Sequence, residues 1–115
     1  MTHHRWADVP REQLNPQLAR QVIHGAKMTV ARLYLSKNAV VPRHSHANEQ
    51  ITLLQEGRLR FVFDDGEAAV EAGEIMQIPP DSPHSVVALE DSVALDLFAP
   101  VREDWVRGDD AYLRK

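Results

Sequence analysis

The stretch Pro42-Arg43-His44-Ser45-His46-Ala47-Asn48-Glu49-Gln50 decides how this chain is read. On an extended backbone, residues two apart project from the same face. His44 and His46 therefore present two imidazoles to one point. Gln50 shares their even parity and joins them if the chain stays extended or crosses a symmetric bend. Glu49 has the opposite parity and is expected to point away, so Gln50 is the preferred third ligand of a cation. An amide binds a cation only through its carbonyl oxygen, a neutral and weaker donor than a carboxylate. A third imidazole, His84, follows the loop Pro79-Pro80-Asp81-Ser82-Pro83 and opens another extended run. Three neutral nitrogens and one neutral oxygen suit one divalent transition metal (Zn, Ni, Fe, Mn or Co) and leave positions free for water or substrate. A lone H-x-H is weak, because surface or satisfied core histidines explain most such pairs. Gln50 and His84 are what give it weight.

Outward from this stretch the punctuation is regular, from Pro10 and Pro16 through Gly25, Pro42, Gly57, Gly66 and Gly73 to Pro100 and Gly108. Between these marks lie short runs rich in Val, Ile, Leu and Phe. Candidate strands are Gln17–His24, Met28–Leu35, Gln50–Gln55, Arg58–Phe63, Ala68–Glu71, Glu74–Ile78, Ser85–Leu89 and Val93–Ala99. Leu59-Arg60-Phe61-Val62-Phe63 shows the polar–apolar alternation of a half-buried strand. His24-Gly25-Ala26-Lys27 and Asp64-Asp65-Gly66-Glu67 read as hairpin turns in which glycine takes a positive φ. The best helical candidate is Arg11–Gln21, and Pro16 interrupts it. Many short strands in so short a chain, with sheet edges to hide, predict an all-β barrel or jelly roll. Residues 1–115 are expected to form one domain with a barrel core at about 17–100. Glu103–Lys115 reads as a tail with one helical turn packed on the outside.

Bulk properties narrow the function classes. The chain has 115 residues, 43% of them apolar, enough for one ordinary core. It contains no cysteine, which excludes disulfides, thiolate ligands and a cysteine nucleophile. Any metal must be held by nitrogen and oxygen. A net charge of −4 gives no footprint for nucleic acid. Met1–Pro10 lacks the apolar run of a signal peptide, and no stretch reaches the roughly 20 apolar residues of a membrane span. A cytoplasmic protein with no nucleic-acid or membrane partner is expected. His3 and His4 are assigned to a disordered tip, His24 to an exposed turn, and Trp6 and Trp105 to packing of the termini.

The residues quoted above resemble the two motifs of the cupin family, G-x5-H-x-H-x3,4-E-x6-G and G-x5-P-x-G-x2-H-x3-N. Here the first reads Asn38, His44, His46, Gln50 and Gly57, and the second reads Gly73, Pro79, Asp81, His84 and Ala88, each at the family spacing. Four positions depart: Asn38 and Asp81 replace Gly, Gln50 replaces Glu, and Ala88 replaces Asn. Asn and Asp are the non-glycine residues that best tolerate a left-handed backbone, so two of these are mild. The resemblance spans Asn38–Ala88 and implies a double-stranded β-helix (jelly-roll) barrel with short terminal extensions. It also implies a metal at His44, His46, Gln50 and His84.

A narrower resemblance lies in Asp96-Leu97-Phe98-Ala99-Pro100-Val101-Arg102-Glu103-Asp104-Trp105. Together with H-x-H-x3-Q, this D-x-F-x-P-x-R-E-D-W tail looks like the single-domain cupins of the pectin-degradation (KdgF-like) type. That group opens 4,5-unsaturated uronates to linear keto acids. The resemblance implies catalytic roles for Asp96, Phe98 and Arg102. It carries the expectation of a sugar-acid substrate and, as small cupins are commonly dimers, of a homodimer. Asp96 lies within the apolar run Val93–Ala99, where a carboxylate is costly to bury unless paired or functional. The plainer alternative is an ion pair between Asp96 and a nearby arginine, with Phe98 as ordinary core and Arg102 as a solvated charge. Two other activities fit the same motifs: an iron-dependent dioxygenase and a non-catalytic module binding sugars or small acids. Sensor cupins are usually fused to a DNA-binding domain, so this chain length favours an enzyme.

Overall fold

The computed structural model describes residues 1–115 and contains ten strands in two antiparallel sheets. In chain order these are β1 (Glu12–Asn15), β2 (Leu18–His24), β3 (Thr29–Leu35), β4 (Val40–His44), β5 (Glu49–Glu56), β6 (Arg58–Phe63), β7 (Gly66–Glu71), β8 (Ile75–Ile78), β9 (His84–Ala88) and β10 (Ser92–Ala99). One sheet has the order β1-β2-β3-β10-β5-β8, and the other β4-β9-β6-β7. This is the jelly-roll architecture expected from the sequence. Alternation builds the interior. Along β10, Ser92, Ala94, Asp96 and Phe98 are buried, while the residues between them are partly exposed. Leu18, Leu35, Leu54, Leu59, Phe61 and Ala88 meet between the sheets as the apolar core.

All eight candidate strands are present with ends shifted by at most a few residues. Two strands are additional. The short, polar β1 pairs with β2 across the segment where Arg11–Gln21 was the best helical candidate. Proline at position 16 and tertiary pairing to β2 outweigh its weak helical pattern there. Strand β4 contains Pro42, which argues against a strand in the middle of a sheet. It is tolerated because β4 is an edge strand and its register to β9 is interrupted between Val41 and His44.

The backbone accounts for the two substitutions of motif glycines. Asn38 and Asp81 have φ of 75° and 61°, and they are the only non-glycine residues with positive φ. The left-handed conformation persists there without glycine. Gly57 (φ +88°) does require glycine, because a Cβ would lie 2.3 Å from the Asp91 carbonyl oxygen. Both hairpins form, but only Gly66 takes the positive φ expected of them. Gly25 closes its turn by donating its N–H to the Met28 carbonyl at 2.7 Å.

The tail is the main correction. Helix α1 (Glu103–Val106) and a 3-10 turn at Ala111–Leu113 do not lie on the outside. They fold over one mouth of the barrel and insert Trp105 and Leu113 into the core. Two buried apolar side chains eight residues apart in a polar segment were too few to show a period. No helix is long and apolar enough to cross a membrane.

Candidate metal centre and the cavity around it

Strands β4 and β9 place His44 and His84 opposite one another on the small sheet. The chain then bends at Ala47-Asn48, carrying His46 in the bend and delivering Gln50 to β5 of the large sheet. Asn48 pins this bend by donating its amide to the carbonyls of Pro100 and Val101 beyond β10. The imidazoles converge, with ring centroids 4.3 Å apart for His44–His84, 5.3 Å for His46–His84 and 5.6 Å for His44–His46. One ligating nitrogen from each lies within 4.8 Å of the others, a spacing that can hold a metal ion. Gln50 is buried beside them and Glu49 is exposed, as parity predicts.

Each ring is oriented by its own backbone. His44 Nδ1 lies 2.8 Å from the Pro42 carbonyl, His46 Nδ1 3.0 Å from that of Asn48, and His84 Nδ1 2.8 Å from that of Ser82. A carbonyl can only accept, so each Nδ1 carries the proton and each Nε2 presents a lone pair. Burial lowers the pKa of His44 and His46 to about 4 and pushes that of His84 down as well. All three are neutral ligands at pH 7.

Gln50 supplies a test of fit. Its Nε2 donates to Thr52 Oγ1 at 2.9 Å, and Thr52 donates to Asp96 Oδ1 at 2.6 Å. That leaves Gln50 Oε1 facing His46 Nε2 at 3.0 Å, two acceptors in contact. A cation between them removes the conflict, and the donor set suits a divalent transition metal.

Asp96 is buried and makes no ion pair, so the arginine-paired alternative does not hold. Burial raises its pKa to about 6, against the opposing pull of the Thr52 hydrogen bond and the Arg102 charge. Its Oδ2 has no hydrogen-bond partner. Arg102 is 1% exposed and is not a solvated charge. Its Nε and Nη2 grip Asp104 at 3.0 and 2.8 Å, and Nη2 also donates to the Tyr112 hydroxyl at 2.9 Å. Only Nη1 has no hydrogen-bond partner. The guanidinium lies 4.6 Å from the ring of Phe98 and 4.2 Å from that of Trp105, within cation–π range. Phe98 meets His46 edge-on with centroids 5.6 Å apart.

These groups line one cavity of about 40 Å³, shared by His44, Gln50, His84, Asp96, Arg102 and Tyr112. Two members escaped the sequence. Thr52 was signalled only by parity with Gln50, and it lies opposite Asp96 in the β5–β10 register. Tyr112 carried no local signal at all. Trp105, assigned to terminal packing, also lines the cavity, whereas His24 is exposed as expected.

The fold and this histidine cluster together define a class. The Cupin domain family matches residues 31–99, and the chain belongs to the cupins. No curated protein sequence matches it. Among solved structures, an RmlC-like cupin from Shewanella frigidimarina is similar at a TM-score of 0.83 and 23% identity, over 89% of this chain and 93% of that one. KdgF from Halomonas sp. is similar at a TM-score of 0.80 and 24% identity, over 86% and 94%. Oxalate decarboxylase from Bacillus subtilis, a protein with Mn(II) centres, is similar at 0.75 and 18% identity, over 84% of this chain and 29% of that one.

Proposed function

We propose that the protein is a metal-dependent enzyme that opens a 4,5-unsaturated uronate, or a related sugar acid, to its linear keto form. The observation that carries this reading is Asp96, a buried carboxyl without an ion-pair partner, in the same cavity as His44, His84 and Gln50. The motif resemblance points the same way, as does the structural likeness to KdgF from Halomonas sp.. His44, His46, Gln50 and His84 would hold the metal. When bound, such a cation supplies Lewis-acid polarisation of a sugar oxygen.

The remaining steps belong to the chain. Opening the ring hemiacetal and converting enol to ketone takes one proton from oxygen and delivers one to carbon, with no redox change. Asp96 Oδ2 is free to carry that proton, and a pKa of about 6 suits transfer near neutral pH. Arg102 Nη1 offers a charge-assisted hydrogen bond to the substrate carboxylate. Phe98 and Trp105 wall the cavity against water, which keeps Asp96 easy to protonate.

The test is elemental analysis of the purified protein, coupled to loss of the conjugated C=C absorbance of an unsaturated galacturonate. Asp96→Asn should keep its metal while turnover falls by at least about a hundredfold, the scale of general acid–base catalysis. Wild-type turnover by that variant, or no turnover by the native protein, would sink the reading.

A further inference from the structure

We infer that Tyr112 occupies the substrate's place in this cavity, so that only a ligand able to displace it from Arg102 gains the candidate metal centre. This rests on the sugar-acid reading above and adds to it a residue that selects acids over neutral sugars.

Three observations carry it. The Tyr112 ring stacks on His44 with centroids 4.7 Å apart and planes 28° from parallel, directly over the histidine cluster. Its hydroxyl accepts from Arg102 Nη2 at 2.9 Å and from Trp105 Nε1 at 3.4 Å. Those are donors that an anionic oxygen of a substrate would use. The cavity volume, about 40 Å³, has room for two or three waters. Ordinary ligand pockets start at about 300 Å³. A sugar ring does not fit while Tyr112 stays in position.

The surrounding turn is held, so the side chain is what yields. Asp110 is buried against Arg20 and bonded to Arg114, Asn15 donates to the Leu113 carbonyl at 2.9 Å, and Leu113 sits in the core. Burial raises the Asp110 pKa, but the hydrogen bonds from Arg114 and Arg20 outweigh it and keep the carboxyl ionised. Tyr112 itself is only half-buried. A swing of its ring frees the cavity and leaves these anchors intact. A carboxylate replaces the neutral phenol on Arg102 with a stronger, charge-assisted hydrogen bond, whereas a neutral sugar hydroxyl gains nothing by the exchange.

The experiment uses metal-loaded full-length protein, wild type, Tyr112→Phe and Tyr112→Ala, with melting curves to check folding. Galacturonate and galactose are titrated by calorimetry, and the rate at which EDTA strips the metal is followed. Tyr112→Phe keeps the ring but releases Arg102, and it should bind galacturonate about tenfold more tightly with stripping unchanged. Tyr112→Ala should in addition lose its metal to EDTA about tenfold faster and admit galactose. Unchanged or weaker galacturonate binding by Tyr112→Phe overturns the proposal, as does absence of galacturonate binding in all three proteins. Tyr112→Phe keeps the test decisive if Tyr112→Ala fails to fold. If these shifts occur but the native protein does not turn over an unsaturated uronate, the ring-opening reading fails and the Tyr112 gate stands. Turnover without the shifts means the reverse.

Discussion

At one end of the barrel, β5 and β10 turn Gln50, Thr52, Asp96 and Phe98 inward. Further along the same two strands, the inward pair is Leu54 and Ala94, with Leu59 and Leu35 nearby in the core. Both ends are equally buried, yet they are built from opposite chemistry. The apolar end gains free energy from each side chain it hides. The polar end spends some of that gain to keep one imidazole, an amide and a carboxyl without an ion pair out of water, with two further imidazoles partly covered. Function sits where the interior is least comfortable, and it is tolerable there because every ring and the amide have an assigned partner.

The contrast can be broken first at its apolar side. Leu54 is 2% exposed, and Leu54→Ala should cost about 2–5 kcal/mol in urea denaturation, by lost transfer energy and a residual cavity. Metal content should stay at the wild-type level. A combined loss of stability and metal would mean that the two ends are not separable.

Asp96 sharpens the polar side. Its folded pKa of about 6 lies above its ordinary 3.8. The protonated group's contribution is therefore fully present below about pH 4 and is lost as pH rises through 6. Above that, the ionised carboxyl costs up to about 3 kcal/mol. Asp96→Asn should thus be more stable than wild type at pH 7.5 by up to that amount and equal to it at pH 4, by denaturant titration at both. Equal stability at both pH values would remove the basis for a raised pKa.

The smallest effect is expected from the link between the proposed ligand Gln50 and the carboxyl. Thr52→Val keeps the shape but removes the hydroxyl that joins Gln50 to Asp96. Loss of such an outer partner should weaken metal affinity about tenfold, measured by competition with a chelator. An unchanged affinity would show that Gln50 is oriented by something else.

Much of this was readable along the chain, for reasons that differ by residue. The strands announced themselves by alternation and punctuation, and Gly57, Asn38 and Asp81 marked backbone that few other residues can adopt. His44, His46 and Gln50 are close in sequence, so parity alone grouped them and set Glu49 aside. His84 needed the second motif. Pro42 hid β4, because the rule against proline in strands does not apply at an edge, and which strand is an edge is not a local property.

By itself, the sequence determined the jelly roll and a candidate nitrogen-and-oxygen metal site, because both depend on local periodicity and on side-chain chemistry. Tertiary structure alone decided that Asp96 is served by Thr52 rather than by an arginine, and that Arg102 is already gripped by Asp104. It also decided that the polar tail turns inward to set Tyr112 on His44. The first and the last of these depend on contacts between segments far apart in the chain, β5 with β10 and the C-terminal turn with β4, whereas Arg102 and Asp104 are two residues apart and meet through the local turn. Side-chain spacing along one strand carries no information about which distant strand will lie beside it.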